Sequence, residues 1–228
     1  MKKCILFDLD GTLCNSAEGI IKSSVYALQK FNVTVSPERL KTFIGPPLRV
    51  SFASVGLNET DIEQALIFYR ERYNSVGLFE NEVYEGIPEL LSKLKNNGHR
   101  LFVATSKPEN MTMRILEHFD LLKYFEGVVG ASLDKSRDNK EAVIEHLLKT
   151  HKINNAIMVG DTVFDVIGAK YHKIDTIGVL WGFGEKSALI DSGAVKLAKN
   201  TLKRIVSEFS RKTEPIEYLS IYPSTDLL

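Results

Sequence analysis

The chain has 228 residues, 44% of them hydrophobic and 25% charged, which is typical of soluble globular proteins and is enough for one large domain or for a core domain with an insertion. Its 29 basic residues equal its 29 acidic residues, so no global field favours a nucleic acid polymer or an anionic membrane as partner. No window is apolar enough to span a bilayer, and two cysteines do not make a disulfide framework, so we expect a cytoplasmic protein.

The first predicted element is a short strand formed by the apolar run Cys4-Ile5-Leu6-Phe7. Such an unbroken run is typical of a strand in a parallel sheet that is covered on both faces. Asp8 and Asp10 follow it two residues apart, so both point to one side of an extended chain. Because two close carboxylates repel each other, a divalent cation with oxygen ligands is their natural partner, and Mg2+ suits a site that also takes a phosphate.

The segment that contains Asp8 and Asp10 has two other possible interpretations. A calcium-binding loop also begins Asp-x-Asp, but its fifth, sixth and twelfth places require Asp or Asn, Gly and Glu. Here those places hold Thr12, Leu13 and Gly19, which excludes such a loop. The remaining alternative is that the two acids only end the strand and start a turn.

Residues 14–83 are predicted to be all helical, because apolar residues recur there at helical spacing. Pro37 suits the first turn of a helix, and Gly45-Pro46-Pro47 should break one. The last helix is expected to begin at Thr60, with Glu63 completing a capping box. The four predicted helices run from 15 to about 31, from 36 to about 44, from 48 to 55 and from 60 to 77.

After Gly86-Ile87-Pro88 the pattern changes to strands that alternate with helices, which predicts an α/β parallel sheet covered by helices on both faces. Strands are predicted at 101–104, 127–130, 156–159 and 176–180. The first strand belongs to the same sheet, so the helical block is an insertion over the strand ends. The predicted domains are a core of residues 1–13 and 84–210 and a four-helix cap of residues 14–83, with 211–228 unassigned.

Polar residues follow the carboxyl ends of several predicted strands. Ligands of open α/β sheets bind beyond those ends, so we expect these residues to converge at one edge. Carboxylates, hydroxyls and lysines are what phosphoryl transfer needs: a nucleophile, donors to the phosphoryl oxygens and positive charge. The residues are Asp8, Asp10, Thr105, Ser106, Lys107, Asp161 and Asp165, with Lys140 near a helix start.

Each of these positions also has an ordinary structural interpretation when it is taken alone. Thr105-Ser106-Lys107 and Gly160-Asp161-Thr162 could be loop and N-cap residues, and Lys140 could be a solvated lysine on a helix. Their joint position at strand ends favours the functional interpretation.

The aspartates can be given distinct roles. Asp8 can be the nucleophile, because a carboxylate with a reference pKa of about 3.9 is ionised at neutral pH. Asp10 can hold a proton, give it to the leaving group and later take one from water. Asp161 is placed to complete a metal's coordination shell, and Asp165 could bind the metal directly or through water.

These positions resemble the motifs of haloacid dehalogenase superfamily phosphatases with a helical cap after the first strand. Asp8-Leu9-Asp10-Gly11-Thr12-Leu13 matches the first motif, Thr105 the second, Lys140 the third, and Gly160-Asp161 through Asp165 the fourth. The resemblance extends to about residue 208. It implies a Rossmann-like core, Mg2+ bound by Asp8, Asp10, Asp161 and Asp165, and an aspartyl-phosphate at Asp8. The Asp10 ligand would be its backbone carbonyl.

The resemblance also implies that Thr105 and Lys140 are catalytic and that Gly11, Thr12, Ser106 and Lys107 contact the substrate. Dehalogenases of the superfamily lack the second aspartate of the first motif, so Asp10 argues against that activity. Softer motifs, 43–48, 104–108 and 165–170, look most like the phosphoglycolate phosphatase-like or 5'-nucleotidase-like branch. Thr162 departs from the Arg or Ser that often stands there.

Arg49 follows the Gly45-Pro46-Pro47 loop and is our candidate for substrate contact from the cap. Its guanidinium could pair with a carboxylate or second phosphate or stack on a base. The alternative is a solvated helix arginine.

The sequence therefore predicts a Mg2+-dependent phosphatase that acts on a small phosphorylated metabolite, as a monomer or homodimer. The cap is expected to close over the phosphate, with hinges near 13–15 and 78–85. The alternatives are a β-phosphoglucomutase-like phosphomutase, a receiver-type signalling domain and a catalytically silent binding protein. A receiver has no helical insertion, and the intact Asp8 and Asp10 argue against a silent protein.

Overall fold

The computed structural model describes residues 2–132, 134 and 136–199, so the predicted tail of residues 211–228 lies outside the described part of the chain. The strands are β1 (Cys4–Phe7), β2 (Cys14–Asn15), β3 (Glu82–Val83), β4 (Arg100–Pro108), β5 (Gly127–Ala131), β6 (Ala156–Gly160), β7 (Asp175–Val179) and β8 (Lys196–Ala198).

The α-helices are α1 (Ala17–Gln29), α2 (Pro37–Lys41), α3 (Leu48–Ala53), α4 (Glu59–Arg72), α5 (Ile87–Asn96), α6 (Glu109–His118), α7 (Lys140–Thr150), α8 (Val163–Tyr171) and α9 (Lys186–Ser192). A π-helical turn, Tyr73–Gly77, continues α4, and a 3-10 turn covers Leu122–Tyr124. None of the helices in the described residues has the length and apolarity needed to cross a membrane.

Six strands form one parallel sheet in the order β5-β4-β1-β6-β7-β8. The first strand of the chain is therefore central, paired with β4 on one side and β6 on the other. Phe7, its last residue, is level with Val103 of β4 and Val159 of β6. This register brings the residues that follow β1 and β6, and the last part of β4, to one edge of the sheet.

Both faces of β1 are buried, as its apolar run predicts. Ile5 and Phe7 belong to a hydrophobic cluster with apolar residues of α5 and α6, whereas Cys4 and Leu6 belong to a second cluster with residues of α7. Successive residues of a strand point to opposite faces, so one cluster lies on each face of the sheet. The domain therefore has three layers, with the sheet between two layers of helices. The predicted α/β fold with a Rossmann-like parallel sheet is confirmed.

The segment between β1 and β4 contains α1 to α4, as the helical periodicity predicts. At its ends β2 and β3 pair antiparallel, with Cys14 opposite Val83 and Asn15 opposite Glu82. This short pair lies in the two segments predicted to be hinges. The boundaries of the proposed core and cap domains and the hinge movement stay predictions.

One local prediction was wrong. The fourth helix begins at Glu59, because the side chain of Asn58 accepts a hydrogen bond from the backbone N–H of Asp61 and so caps the helix two residues before Thr60. The helical segment ends at Gly77, as predicted, but its last turn, Tyr73–Gly77, is π-helical. The short elements β2, β3, β8 and α9 were not predicted.

Candidate active site

The carboxyl end of β1 places Asp8 in a buried cluster of charges. The ammonium of Lys140, the first residue of α7, donates to Asp8 Oδ1 at 2.8 Å and to the carbonyl of Ala104 at 3.0 Å. The same ammonium lies 2.7 Å from Asp165 Oδ1. Lys140 is thus not a solvated helix lysine: it joins groups from β1, β4 and α8.

Asp161, directly after β6, is fully buried. Its Oδ1 accepts a hydrogen bond from Thr12 Oγ1 at 3.0 Å, and its Oδ2 accepts one from the backbone N–H of Phe183 at 2.9 Å. Both donors are neutral, so they hold the Asp161 side chain in place but do not balance the negative charge of its carboxylate.

Asp165, also fully buried, is engaged through both of its oxygens. Oδ2 accepts from the backbone N–H and the hydroxyl of Thr162, at 3.0 and 2.9 Å, while Oδ1 faces Lys140. Thr162 is the N-cap of α8, so the structural interpretation of this turn is correct as well. Asp165 thereby ties the start of α8 to Lys140.

Three buried carboxylates meet in this cluster: Asp8, Asp161 and Asp165 each offer an oxygen, and these oxygens lie within 4.8 Å of one another. Burial raises the pKa of Asp8 to about 6, even though Lys140 acts to lower it. Burial and the charges of Asp165 and Asp8 raise the pKa of Asp161 well above its ordinary value. One ammonium does not balance three carboxylates, so the cluster has the charge and the oxygen donors to hold a divalent cation.

Glycines allow the backbone to approach Asp161 closely. Gly11 has a φ of +82°, and a Cβ added there would lie 2.1 Å from Asp161 Oδ2. A Cβ at Gly182 would lie 2.4 Å from both Asp161 Oδ2 and the Gly11 carbonyl. Any side chain at either position would displace Asp161 or the loop that carries it.

Asp10 lies beside a second buried lysine. Lys107 Nζ donates to Asp10 Oδ2 at 2.5 Å, and the same nitrogen lies 5.1 Å from the ring centroid of Tyr73 in the π-helical turn. Burial by itself lowers the pKa of Lys107, but the charge of Asp10 offsets this and raises the pKa above its ordinary value. Asp10 Oδ1 is buried and has no hydrogen-bond partner among the described residues.

The remaining predicted site residues lie in different surroundings. Thr105 is buried near the end of β4, where its hydroxyl accepts from the backbone N–H of Lys107 at 3.3 Å, whereas Ser106 is exposed. The N–H of Gly11 donates to the Cys14 carbonyl at 2.8 Å. The substrate contacts expected of Gly11, Thr12, Ser106 and Lys107 stay predictions.

The structure does not join Arg49 to the charge cluster. Its guanidinium pairs with Glu59 and Glu63 of α4, and the side chain is partly exposed. Its expected substrate contact stays a prediction, which would require the guanidinium to leave these partners.

Sequence reasoning missed the loop after β7. Phe183 supplies the donor to Asp161, and the indole N–H of Trp181 donates to the Thr12 carbonyl at 3.0 Å. The available signal was Trp181-Gly182-Phe183-Gly184 itself, a glycine-rich segment that directly follows a predicted strand. Tyr73, which lies over Lys107, was also not predicted as a site residue.

Comparison with known proteins agrees with this geometry. Residues 5–179 match the haloacid dehalogenase-like hydrolase family. The chain is 42% identical over 190 residues to a 5'-nucleotidase from Pseudomonas aeruginosa, covering 81% of this chain and 86% of the relative. It is 43% identical over 183 residues to the tyrosine-protein kinase PtkA from Mycobacterium tuberculosis, covering 79% of this chain but 62% of the relative.

A crystal structure described as a predicted phosphatase from Clostridium acetobutylicum has the same fold. It superposes with a TM-score of 0.85 at 43% identity, covering 92% of this chain and 98% of that chain. The matched residues 5–179 run from β1 to the end of β7 and so include the buried carboxylates and Lys140. This protein belongs to the haloacid dehalogenase-like hydrolase family.

Proposed function

We propose that this hydrolase is a Mg2+-dependent phosphatase that cleaves small phosphomonoesters through an aspartyl-phosphate at Asp8. The observation that carries the proposal is the position of Asp8. It lies at the end of the central strand, with Oδ1 held by Lys140 and two further carboxylates beside it. The phosphatase and 5'-nucleotidase names among the relatives support the same class of reaction.

In the first step an Asp8 carboxylate oxygen attacks the phosphorus, and the bond from phosphorus to the leaving oxygen breaks. Lys140 holds Oδ1, so we assign the attack to Oδ2. A pKa of about 6 still leaves most of Asp8 ionised at pH 7, so no separate base is needed. Lys140 also stabilises the charge that the carboxylate carries before the attack.

Asp10 serves as acid and then as base. Lys107 holds its Oδ2, which leaves the unpartnered Oδ1 as the atom that gives a proton to the leaving oxygen. A water molecule then attacks the phosphorus of the aspartyl-phosphate, and Asp10 takes one of its protons. The phosphorus–oxygen bond to Asp8 breaks, inorganic phosphate leaves and the carboxylate is restored.

Asp8 and Asp161 would hold the Mg2+, together with the backbone carbonyl of Asp10. When bound, the metal neutralises the carboxylates and the phosphoryl oxygens and orients the substrate. Because Lys140 and Thr162 already engage both oxygens of Asp165, we assign Asp165 to positioning Lys140 and to a contact with the metal through water.

The test is Asp8→Asn assayed with p-nitrophenyl phosphate and Mg2+. We expect hydrolysis to fall by about 1,000-fold or more, because the amide cannot form the acyl phosphate. Asp175→Asn, an exposed aspartate at the opposite end of β7, is the matched control and should keep full activity. Circular dichroism is the check that both variants fold, and retained turnover in Asp8→Asn would refute the assignment.

The acceptor of the phosphoryl group separates this proposal from two alternatives. A phosphomutase would return the group to a sugar, and the 43% identity to a tyrosine-protein kinase raises transfer to a tyrosine as a second candidate. Sugar 1-phosphate is assayed for isomerisation, and a tyrosine peptide with ATP is assayed for phosphotyrosine. We expect free phosphate from phosphomonoesters and neither of the other products. The family match and the inserted helices exclude a receiver domain.

A further inference from the structure

Several buried polar side chains near Asp10 have no hydrogen-bond partner among the described residues. They are Ser16 Oγ, Tyr73 OH and both polar atoms of the Asn81 amide, in side chains of residues that are at most 8% exposed. Buried polar groups are nearly always paired, since an unpaired one has lost its hydrogen bonds to water without gaining a replacement. A group of them in one place therefore indicates a polar ligand or ordered water.

The pairing of β2 with β3 places two of these side chains next to each other. Tyr84 N donates to the Leu13 carbonyl, and Cys14 and Asn15 lie opposite Val83 and Glu82. Continued by one position, this register would place Ser16, the N-cap residue of α1, opposite Asn81. Opposed residues of an antiparallel pair point to the same side, so the two side chains share a face with Cys14.

Asp10 is a backbone neighbour of this strand pair. Cys14 forms a β-bridge with Asp10, and its carbonyl accepts from Gly11 N at 2.8 Å. The π-helical turn and the residues after it pack against the start of α1: Gly19 N donates to the Glu80 carbonyl at 3.0 Å, and a Cβ at Gly19 would lie 1.9 Å from the Gly77 carbonyl. Tyr73 of that turn lies over Lys107, the partner of Asp10.

The chemistry of this set is neutral. An amide and two hydroxyls offer both donors and acceptors, which suits hydroxyl groups of a ligand. The cation beside them, Lys107, is already paired with Asp10 and so is not free to balance a carboxylate on the ligand. Because Asp10 is the group proposed to protonate the leaving oxygen, the leaving group would lie beside Asp10 and these side chains.

We propose that Ser16, Tyr73 and Asn81 bind the leaving group, and that the enzyme selects phosphomonoesters whose leaving group carries hydroxyls beside the ester, as in sugar and nucleoside phosphates, over carboxylated or apolar ones. The inference rests on the proposed phosphatase function. The three side chains recognise the substrate by exchanging their missing hydrogen bonds for bonds to its hydroxyls, so an ester that lacks hydroxyls leaves them unpaired.

The test compares kcat/KM for glycerol 1-phosphate, n-propyl phosphate and 2-phosphoglycolate. The first two have the same carbon chain and differ only by two hydroxyls. We expect the wild-type enzyme to prefer glycerol 1-phosphate by about tenfold or more over each of the others, the effect of at least one buried hydrogen bond. Equal or reversed preference, with hydrolysis of p-nitrophenyl phosphate intact, overturns this inference alone. Failure to hydrolyse any ester overturns the phosphatase function itself.

Single substitutions test whether Asn81 and Ser16 cause the preference for glycerol 1-phosphate. Asn81→Leu and Ser16→Ala should lower the ratio of glycerol to propyl phosphate kcat/KM towards one. Neither should lower the melting temperature, because each removes an unpaired polar group. Thr176→Val removes another unpartnered buried hydroxyl, near the amino end of β7, and should leave the ratio unchanged. Variants that lose stability while the ratio stays constant would show that the side chains are structural or water-bound, and would overturn the assignment.

Discussion

Asp161 is the residue whose burial most needs explanation. An isolated buried carboxylate is expensive, and removing it from water normally requires an opposite charge or a metal. Asp8 and Asp165 share Lys140, but the hydrogen-bond donors to Asp161 are the neutral Thr12 hydroxyl and Phe183 N–H. Its raised pKa is the physical sign of a charge that a bound cation would stabilise.

Thr12→Val tests this arrangement at the level of one hydrogen bond. The change keeps the shape of the buried side chain but removes the donor to Asp161 Oδ1. We expect a Mg2+ affinity about 10-fold to 100-fold weaker, as for other groups that orient a metal ligand, and a stability loss of about 1 kcal/mol.

The Mg2+ dependence of phosphatase activity and urea unfolding measure the two effects. Thr176→Val is the matched control, since its hydroxyl has no partner among the described residues and its loss should change neither quantity. An unaltered Mg2+ dependence in Thr12→Val would show that Asp161 is not a ligand or does not need Thr12.

At the scale of elements, the site depends on short or irregular strands whose sequences show no strong hydrophobic periodicity. β4 runs on to Pro108 through a register shift against β5, between Ala104 and Pro108, and this irregular end carries Thr105 and Lys107. β2 and β3 join the two ends of the helical segment. Such bulges and short pairs commonly occur beside active sites, where they redirect side chains.

An ion pair connects the end of α4 to the segment between the π-helical turn and β3. Arg72 contacts both oxygens of Glu80, with N–O distances of 2.7 and 2.9 Å, and Lys22 adds a third contact at 3.2 Å. The hydrogen bonds that Glu80 accepts from Arg72 lower the pKa of Glu80 below its ordinary value. We expect Glu80→Gln to cost about 0.5–1 kcal/mol at pH 7, the range of a well-formed pair that keeps some solvent contact.

The direction of the Glu80 pKa shift determines how that cost depends on pH. A carboxylate whose pKa is lower in the folded state stabilises the fold above its unfolded pKa, and the contribution is lost as pH falls through the folded pKa. The difference between wild type and Glu80→Gln should therefore be full at pH 7 and shrink progressively below about pH 4.5. Urea unfolding across this range measures it, with Glu145→Gln, in an exposed pair with Lys149, as a control that should show little change. A difference that grows in acid would contradict the ion-pair explanation.

At the scale of the whole molecule, metal binding should couple residues from separate parts of the chain. We expect EDTA to remove phosphatase activity and Mg2+ to restore it. A ligand that binds only the folded state at 100 times its Kd adds about 2.7 kcal/mol to stability, so saturating Mg2+ should raise the melting temperature by several degrees.

Asp161→Asn should abolish this thermal shift, because it removes a proposed ligand, whereas Asp175→Asn should keep it. Differential scanning calorimetry with and without Mg2+ gives the measurement independently of activity. Equal shifts in wild type and Asp161→Asn would place the cation elsewhere.

Much of the fold could be predicted because its signals are local. The apolar run before Asp8, the helical spacing in residues 14–83 and the later alternation all lie within short windows, and the α/β fold follows from them. The start of the last inserted helix was predicted wrongly, because Thr60 and Asn58 both qualify as caps and the choice depends on which backbone turn forms. The pairing of β2 with β3 needs contacts between residues about 70 positions apart, which no window contains.

By itself, the sequence determined the family and the residue types of its chemistry, because the motif residues are adjacent or a few positions apart. Only the tertiary structure decided which partner each charge has: Lys140 with Asp8 and Asp165, Lys107 with Asp10, and Arg49 with glutamates of its own helical segment. The reason is that a buried charge takes its properties from groups within a few ångströms, and the chain supplies those groups from strands and loops far apart in sequence.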